Sequence, residues 1–128
     1  MSNKILIAED ERRQCAELVS QLEAMGRSEI SVATTAHEAI RLAVQLRPGV
    51  VILDGLLPGM HGFEVARFIR SVDSSYQPRI ILTTAIYKNI RYRNEAKLKY
   101  GVDAYLVKPV TPEALHEALE APIGEAAA

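Results

Sequence analysis

Apolar residues along the chain fall into two alternating patterns. Residues 5–8 (Ile-Leu-Ile-Ala), 50–53 (Val-Val-Ile-Leu), 80–82 (Ile-Ile-Leu) and 105–107 (Tyr-Leu-Val) are uninterrupted runs, which predict strands buried on both faces. Residues 30–33 (Ile-Ser-Val-Ala) alternate with polar positions and predict a weaker strand. Between these runs the apolar residues recur at helical spacing. Cys15, Leu18, Val19, Leu22 and Met25 mark a first helix, and Gly26 suits its end. Thr35 and Glu38 form a capping box before a helix whose apolar face is Ala39, Ile40, Ala43 and Val44, stopped by Pro48-Gly49. A loop rich in glycine and proline (Gly55, Pro58, Gly59, Gly62) leads to a third helix carrying Phe63, Val65, Ala66, Ile69 and Val72. A fourth helix is predicted over residues 88–100, with poor amphipathic order. Thr111 as N-cap and Pro112 at the first helical position open a fifth, with Leu115, Ala118 and Leu119 inward.

Alternation of buried strands with amphipathic helices predicts an α/β domain, a doubly wound parallel sheet with helices on both faces. Right-handed crossovers leave few arrangements, of which the flavodoxin-like order 2-1-3-4-5 is one, and periodicity alone does not choose it. The 128 residues suit a single domain, expected over residues 1–121, with 122–128 as a flexible tail or the start of a linker. A net charge of -1 offers no global attraction for nucleic acid or membrane, so any such role requires a local patch. One cysteine, Cys15, excludes an internal disulfide framework and a multi-cysteine metal site. The first apolar run is too short for a signal peptide and no stretch reaches bilayer length, so a cytoplasmic location is expected. No Gly-x-Gly-x-x-Gly follows the first strand, which argues against a dinucleotide enzyme.

In open α/β sheets ligands bind beyond the carboxyl ends of the strands. The first strand delivers Glu9, Asp10 and Glu11 there, the third Asp54, the fourth Thr83 and Thr84, and the fifth Lys108. Taken singly, each has a plainer explanation. Glu9 and Asp10 could cap a helix, Asp54 could be a turn residue, Thr84 a strand end, and Lys108-Pro109 a loop. Together they place several carboxylates on one edge, where mutual repulsion calls for a cation. The hard oxygen donors favour Mg²⁺. The charges of Glu9, Asp10 and Asp54 would be balanced by one divalent ion plus Lys108. A phosphoryl group on Asp54 would then need the metal, the Lys108 ammonium and a hydroxyl donor such as Thr84. Charge and periodicity alone reach an acidic Mg²⁺ site on a doubly wound fold, and not phosphotransfer.

Four segments carry a more specific likeness: Ile5-Leu6-Ile7-Ala8-Glu9-Asp10, residues 51–62 around Asp54, Ile81-Leu82-Thr83-Thr84-Ala85, and Asp103-Ala104-Tyr105-Leu106-Val107-Lys108-Pro109. In this order and spacing the chain resembles the receiver domains of two-component response regulators, over residues 4 to about 120. The resemblance implies the 2-1-3-4-5 sheet order. It implies that Asp54 accepts a phosphoryl group from a histidine kinase or phosphotransfer protein. Asp10, Asp54 and the backbone carbonyl of Leu56 would ligate Mg²⁺, with Glu9 acting mainly through water. Thr84 and Tyr105 would be the switch residues, Lys108 would pair with phosphoryl oxygens, and the Lys108-Pro109 bond would be cis. Such a domain is a signalling switch rather than an enzyme, assisting only its own phosphorylation and dephosphorylation.

The departures from the family pattern are few. His61 stands where the family commonly has Asp. The apolar Leu56 and Ile86, two positions beyond Asp54 and Thr84, are expected to hinder water and lengthen the life of the acyl phosphate. Residues 87–100 hold Lys88, Arg91, Arg93, Lys97 and Lys99 with Tyr87, Tyr92 and Tyr100. A solvated helix face explains them, while the resemblance makes the fourth helix, fifth strand and fifth helix an output surface. Lys88, Arg91, Lys97 and Tyr105 are its expected partner-facing residues, for a downstream protein or a fused effector domain; a homodimer stays open, and direct nucleic-acid binding is not expected. No output segment is recognisable after residue 121, so the chain is read either as a stand-alone regulator or as part of a larger one. Two other functions fit the sequence less well. A dehalogenase-like phosphatase would want a second aspartate where Leu56 stands. A phosphorylation-independent interaction module has no need of so costly an acidic pocket.

Overall fold

The computed structural model describes residues 2–85 and 101–122. Five strands, β1 (Ile5–Ala8), β2 (Ile30–Ala33), β3 (Val50–Asp54), β4 (Arg79–Thr84) and β5 (Ala104–Val107), form one sheet in the order β2-β1-β3-β4-β5. All four pairings are parallel, with Ile5 beside both Ile30 and Val50, Val50 beside Arg79, and Ile81 beside Ala104. This is the flavodoxin-like order. Each strand's alternation splits the core in two. Leu6, Ala8, Val51, Leu53, Ile80, Leu82 and Tyr105 face one layer, with buried residues of α2 (Ala36–Leu46) and α3 (Gly62–Val72). Ile5, Ile7, Ile52, Ile81 and Ala104 face the other, against Leu18 and Leu22 of α1 (Arg12–Ala24) and Leu115, Ala118 and Leu119 of the C-terminal helix, Pro112–Glu120. β1 is buried throughout, whereas the edge strand β2 leaves Val32 39% exposed.

The helix ends follow their sequence signals. At the end of α1 the N–H of Gly26 (φ 85°) donates to Glu23 O and that of Arg27 to Leu22 O, both at 3.0 Å, the paired bonds of a Schellman stop. Thr35 Oγ1 accepts from Glu38 N at 3.1 Å, and Glu38 Oε1 accepts from Thr34 N at 2.9 Å, so the capping box closes one residue further out than its simplest form. Thr111 Oγ1 caps the C-terminal helix through Ala114 N, with proline at the helix start.

Three expectations need correction, and one lies out of reach. Val44 is 47% exposed and Val72 41% exposed. The buried stripe of α2 runs through Ala36, Ala39 and Ala43 and leaves Val44 on its flank, and Val72 is the last residue of α3. The loop after β3 contains a two-residue antiparallel ribbon in which Leu56 pairs with His61 and Leu57 with Met60. Such short strands have no readable period; the Pro58-Gly59 turn (Gly59 φ 98°) is what closes them. The predicted helix over 88–100, and with it Lys88, Arg91, Lys97 and also Ile86, lies outside the described residues.

At the amino-terminal ends of β4 and β5, Arg70 ties three chain segments together. Its guanidinium donates to Gly101 O (2.9 Å), Pro78 O (2.7 Å) and Asp103 Oδ2 (2.6 Å), and the same Asp103 oxygen accepts from Ile80 N (2.8 Å). The pair is shielded, with side-chain exposures of 21% and 12%. Arg70→Ala would leave two carbonyls and a carboxylate short of donors and is expected to lower the unfolding free energy by about 2–3 kcal/mol, measured by urea denaturation.

Candidate functional site

The carboxyl ends of β1, β3, β4 and β5 lie along one edge, and the backbone extends the sheet past the strands to hold the site. Glu9 N donates to Ala33 O at 3.0 Å, Gly55 N to Thr83 O at 2.8 Å, and Lys108 N to Thr84 O at 2.9 Å. Glu9 (2% exposed), Asp54 (7%) and Thr84 (2%) are consequently buried at the mouth of the fold, while Asp10 is exposed. The capping role that Glu9 and Asp10 could have filled belongs to Glu11, whose side chain accepts from Gln14 N at 2.6 Å. Asp54 does keep a turn function, since Oδ1 accepts from Leu56 N at 3.3 Å.

Lys108 joins these groups. Its Nζ stands 3.0 Å from Glu9 Oε1 and 3.1 Å from Asp54 Oδ1, and it also donates to Gln14 Oε1. The Lys108-Pro109 bond is cis. Glu9 is fully engaged, because its second oxygen accepts from Glu11 N at 3.1 Å. Thr83 and Thr84 separate by strand alternation: Thr83 Oγ1 donates to Leu53 O at 3.5 Å, and Thr84 lies against Gly55, where a Cβ would stand 3.5 Å from Thr84 Oγ1. Gly62 is far more constrained, since a Cβ there would lie 2.3 Å from Asp54 O. Any larger residue would displace the backbone that carries Asp54.

Tyr105 is 2% exposed, within the α2/α3 layer. It therefore does not itself form exposed partner surface and can bear on such a surface only from beneath. His61 is the N-cap of α3: its Nδ1 accepts from Phe63 N at 3.4 Å and its ring stacks on Phe63 at 4.9 Å. Burial lowers its pKa against the pull of Glu64 and Asp54, in keeping with an uncharged ring that accepts at Nδ1. Leu56 is 47% exposed at the rim. Sequence reasoning missed Gln14. Its position four residues after Asp10 on the first turn of α1 was a signal, though nothing local marked Lys108 as its partner.

Burial pushes the Glu9 carboxyl above its ordinary value, and the neighbouring Asp54 charge adds to this, while Lys108 and the Glu11 amide oppose it. Burial alone would lower the Lys108 pKa, but the Glu9 and Asp54 carboxylates outweigh it and the net shift is upward. Carboxylate oxygens from Glu9, Asp10 and Asp54 lie within 4.8 Å of one another. Hard, anionic oxygens that close, with Lys108 the one ammonium bonded to them among the described residues, are a fitting donor set for a small divalent ion.

Comparison with known proteins agrees with this geometry. The family described as the response regulator receiver domain matches residues 5–120. The chain belongs to that family. It is 35% identical over 124 residues to the uncharacterized transcriptional regulatory protein YesN of Bacillus subtilis, covering 95% of this chain and 33% of YesN. It is 30% identical over 119 residues to PilH of Pseudomonas aeruginosa, covering 92% of this chain and 95% of PilH. Among solved structures it superposes on the chemotaxis response regulator CheY4 of Vibrio cholerae with a TM-score of 0.81 at 25% identity, over 93% of this chain and 97% of that one. The receiver domain of a modulated diguanylate cyclase from Desulfovibrio desulfuricans gives 0.77 at 31% identity, over 91% and 90%. The chain spans about a third of YesN and, at 51%, about half of AfsQ1 from Streptomyces coelicolor. No described helix is long and apolar enough to cross a membrane. Family membership supports a phosphoacceptor signalling role, as a switch.

The raised pKa values of Glu9 and Lys108 have a definite sign. Each group's contribution to stability is complete below its unfolded pKa and is lost as pH rises through the folded one, in the acid range for Glu9 and the alkaline range for Lys108. Lys108→Met removes contacts that hold Glu9 down. The Glu9 carboxyl should then titrate at still higher pH, read from its side-chain ¹³C shift.

Proposed function

We propose that Asp54 is the phosphoacceptor of a two-component switch, taking a phosphoryl group from the phosphohistidine of a histidine kinase or phosphotransfer protein in a Mg²⁺-dependent reaction. The observation that carries this reading is the contact of Asp54 Oδ1 with the Lys108 ammonium at 3.1 Å, inside a carboxylate cluster completed by Glu9 and Asp10.

Asp10 and Asp54 would hold the Mg²⁺, with the Leu56 carbonyl as a further ligand. Glu9, both of whose oxygens already have partners, would act through water. When bound, the ion supplies charge neutralisation between the carboxylates and the incoming phosphoryl oxygens. An Asp54 carboxylate oxygen attacks phosphorus, the P–N bond to the donor imidazole breaks, and the imidazole leaves with its electron pair and takes up a proton. Lys108 moves from a carboxylate partner to a phosphoryl oxygen, and the Thr84 hydroxyl donates to another. Gly55, beside Thr84, leaves the approach free of side chain.

The acyl phosphate biases a two-state equilibrium through Thr84 and the buried Tyr105, and the surface over them reports the state. The basic residues Lys88, Arg91 and Lys97 would belong to that reporting face. Its recipient is a downstream protein or an effector domain in the same polypeptide, as the names of YesN and AfsQ1 suggest for transcriptional control.

Incubated with acetyl phosphate and Mg²⁺, the wild type should gain one phosphoryl group by mass spectrometry and shift its amide NMR spectrum, and Asp54→Asn should do neither; a wild type that gains nothing refutes the reading. The half-exposed Leu56 side chain keeps a polar group away from the attacking water. Leu56→Asn is expected to shorten the phosphoryl half-life by about 3- to 10-fold, a difference of about 1 kcal/mol in barrier; equal release rates of inorganic phosphate would exclude this role.

A further inference from the structure

An ammonium has three N–H donors, and those of Lys108 are matched to three acceptors: Glu9, Asp54 and Gln14. The three differ in kind. Glu9 and Asp54 are the groups whose partners must change when a divalent ion and a phosphoryl group arrive. Gln14 is a neutral amide, with no charge for either arrival to neutralise. Its backbone N–H donates to Glu11 Oε2 in the cap of α1, which fixes where the side chain leaves the helix. Two turns further along the same helix, Gln21 Nε2 donates to Val110 O at 2.9 Å. α1 thus grips the segment after β5 at two points, the Lys108 ammonium and the Val110 carbonyl, across a cavity of about 280 Å³ lined also by Glu17 and Leu18. That space leaves the Lys108 side chain free to swing, unless something neutral restrains it.

We propose that Gln14 is a positioning residue for phosphoryl transfer, keeping the Lys108 ammonium aimed at Asp54 while Glu9 and Asp54 exchange their own partners. The proposal rests on the phosphoacceptor reading given above. It makes the amide oxygen, rather than the bulk of the side chain, the feature that matters.

Two variants separate these. Gln14→Met keeps the length and the backbone N–H but has no comparable acceptor, whereas Gln14→Glu keeps the acceptor. With acetyl phosphate at saturating Mg²⁺, Gln14→Met should phosphorylate about 3- to 10-fold more slowly, the effect of one ordinary hydrogen bond. Gln14→Glu, which keeps the acceptor but adds a negative charge, should phosphorylate faster than Gln14→Met. A second readout needs no phosphorylation: in ¹⁵N-lysine-labelled protein the Lys108 ammonium protons should exchange faster in Gln14→Met than in wild type or Gln14→Glu. Wild-type rates and unchanged ammonium exchange in Gln14→Met would overturn the proposal, as would equal slowing in both variants. If the wild type takes up no phosphate, the phosphoacceptor reading falls, and the ammonium exchange alone decides whether Gln14 holds Lys108.

Discussion

The contact of one ammonium with two buried carboxylates governs this structure. Glu9 and Asp54 emerge from adjacent parallel strands, so sheet geometry forces their negative charges together in a place where water is scarce. Lys108 relieves part of that repulsion and can do so only because its backbone N–H is bonded to Thr84 O, which brings the β5 exit alongside that of β4. Among the described residues, one positive charge against Glu9, Asp10 and Asp54 leaves an excess of negative charge. That imbalance makes the site receptive to a divalent ion and responsive to any further change of charge on Asp54.

The scaffold divides its work between the two ends of the sheet. At the amino-terminal ends, Arg70 and Asp103 lock the chain's return into β5 by contacts that are saturated and shielded. At the carboxyl ends the backbone is equally well held, but among the described residues side-chain charge is only partly compensated. Rigid strands with an unfinished electrostatic site at their tips suit a switch, because a small change in charge can be passed to packed neighbours without loosening the sheet. Tyr105 is buried in the core layer that α2 and α3 share.

Three side chains shape the surroundings of the cluster. His61 caps α3 through Nδ1, which accepts from Phe63 N, and burial lowers the pKa of its ring. Glu11 takes the cap of α1 and so spares Glu9 and Asp10 for the cluster. Gln14 gives Lys108 a neutral third acceptor.

The strands and most helices were legible because their signals are local. Unbroken apolar runs, the Thr35 and Thr111 caps and the Gly26 stop each act within a turn or a strand, and their physics needs no distant partner. Glu9, Asp54, Thr84 and Lys108 could be assigned to one edge for a related reason: in a parallel sheet every strand exit points the same way. The sequence by itself therefore determined the architecture class and the chemical inventory of the site. Tertiary structure alone decided which groups touch. That Lys108 bonds Glu9 as well as Asp54, that Gln14 joins them, and that Val44 and Val72 face outward depend on residues far apart in the chain or on where a helix flank meets the sheet. Such contacts are set by packing between elements, which no pattern along a single element encodes.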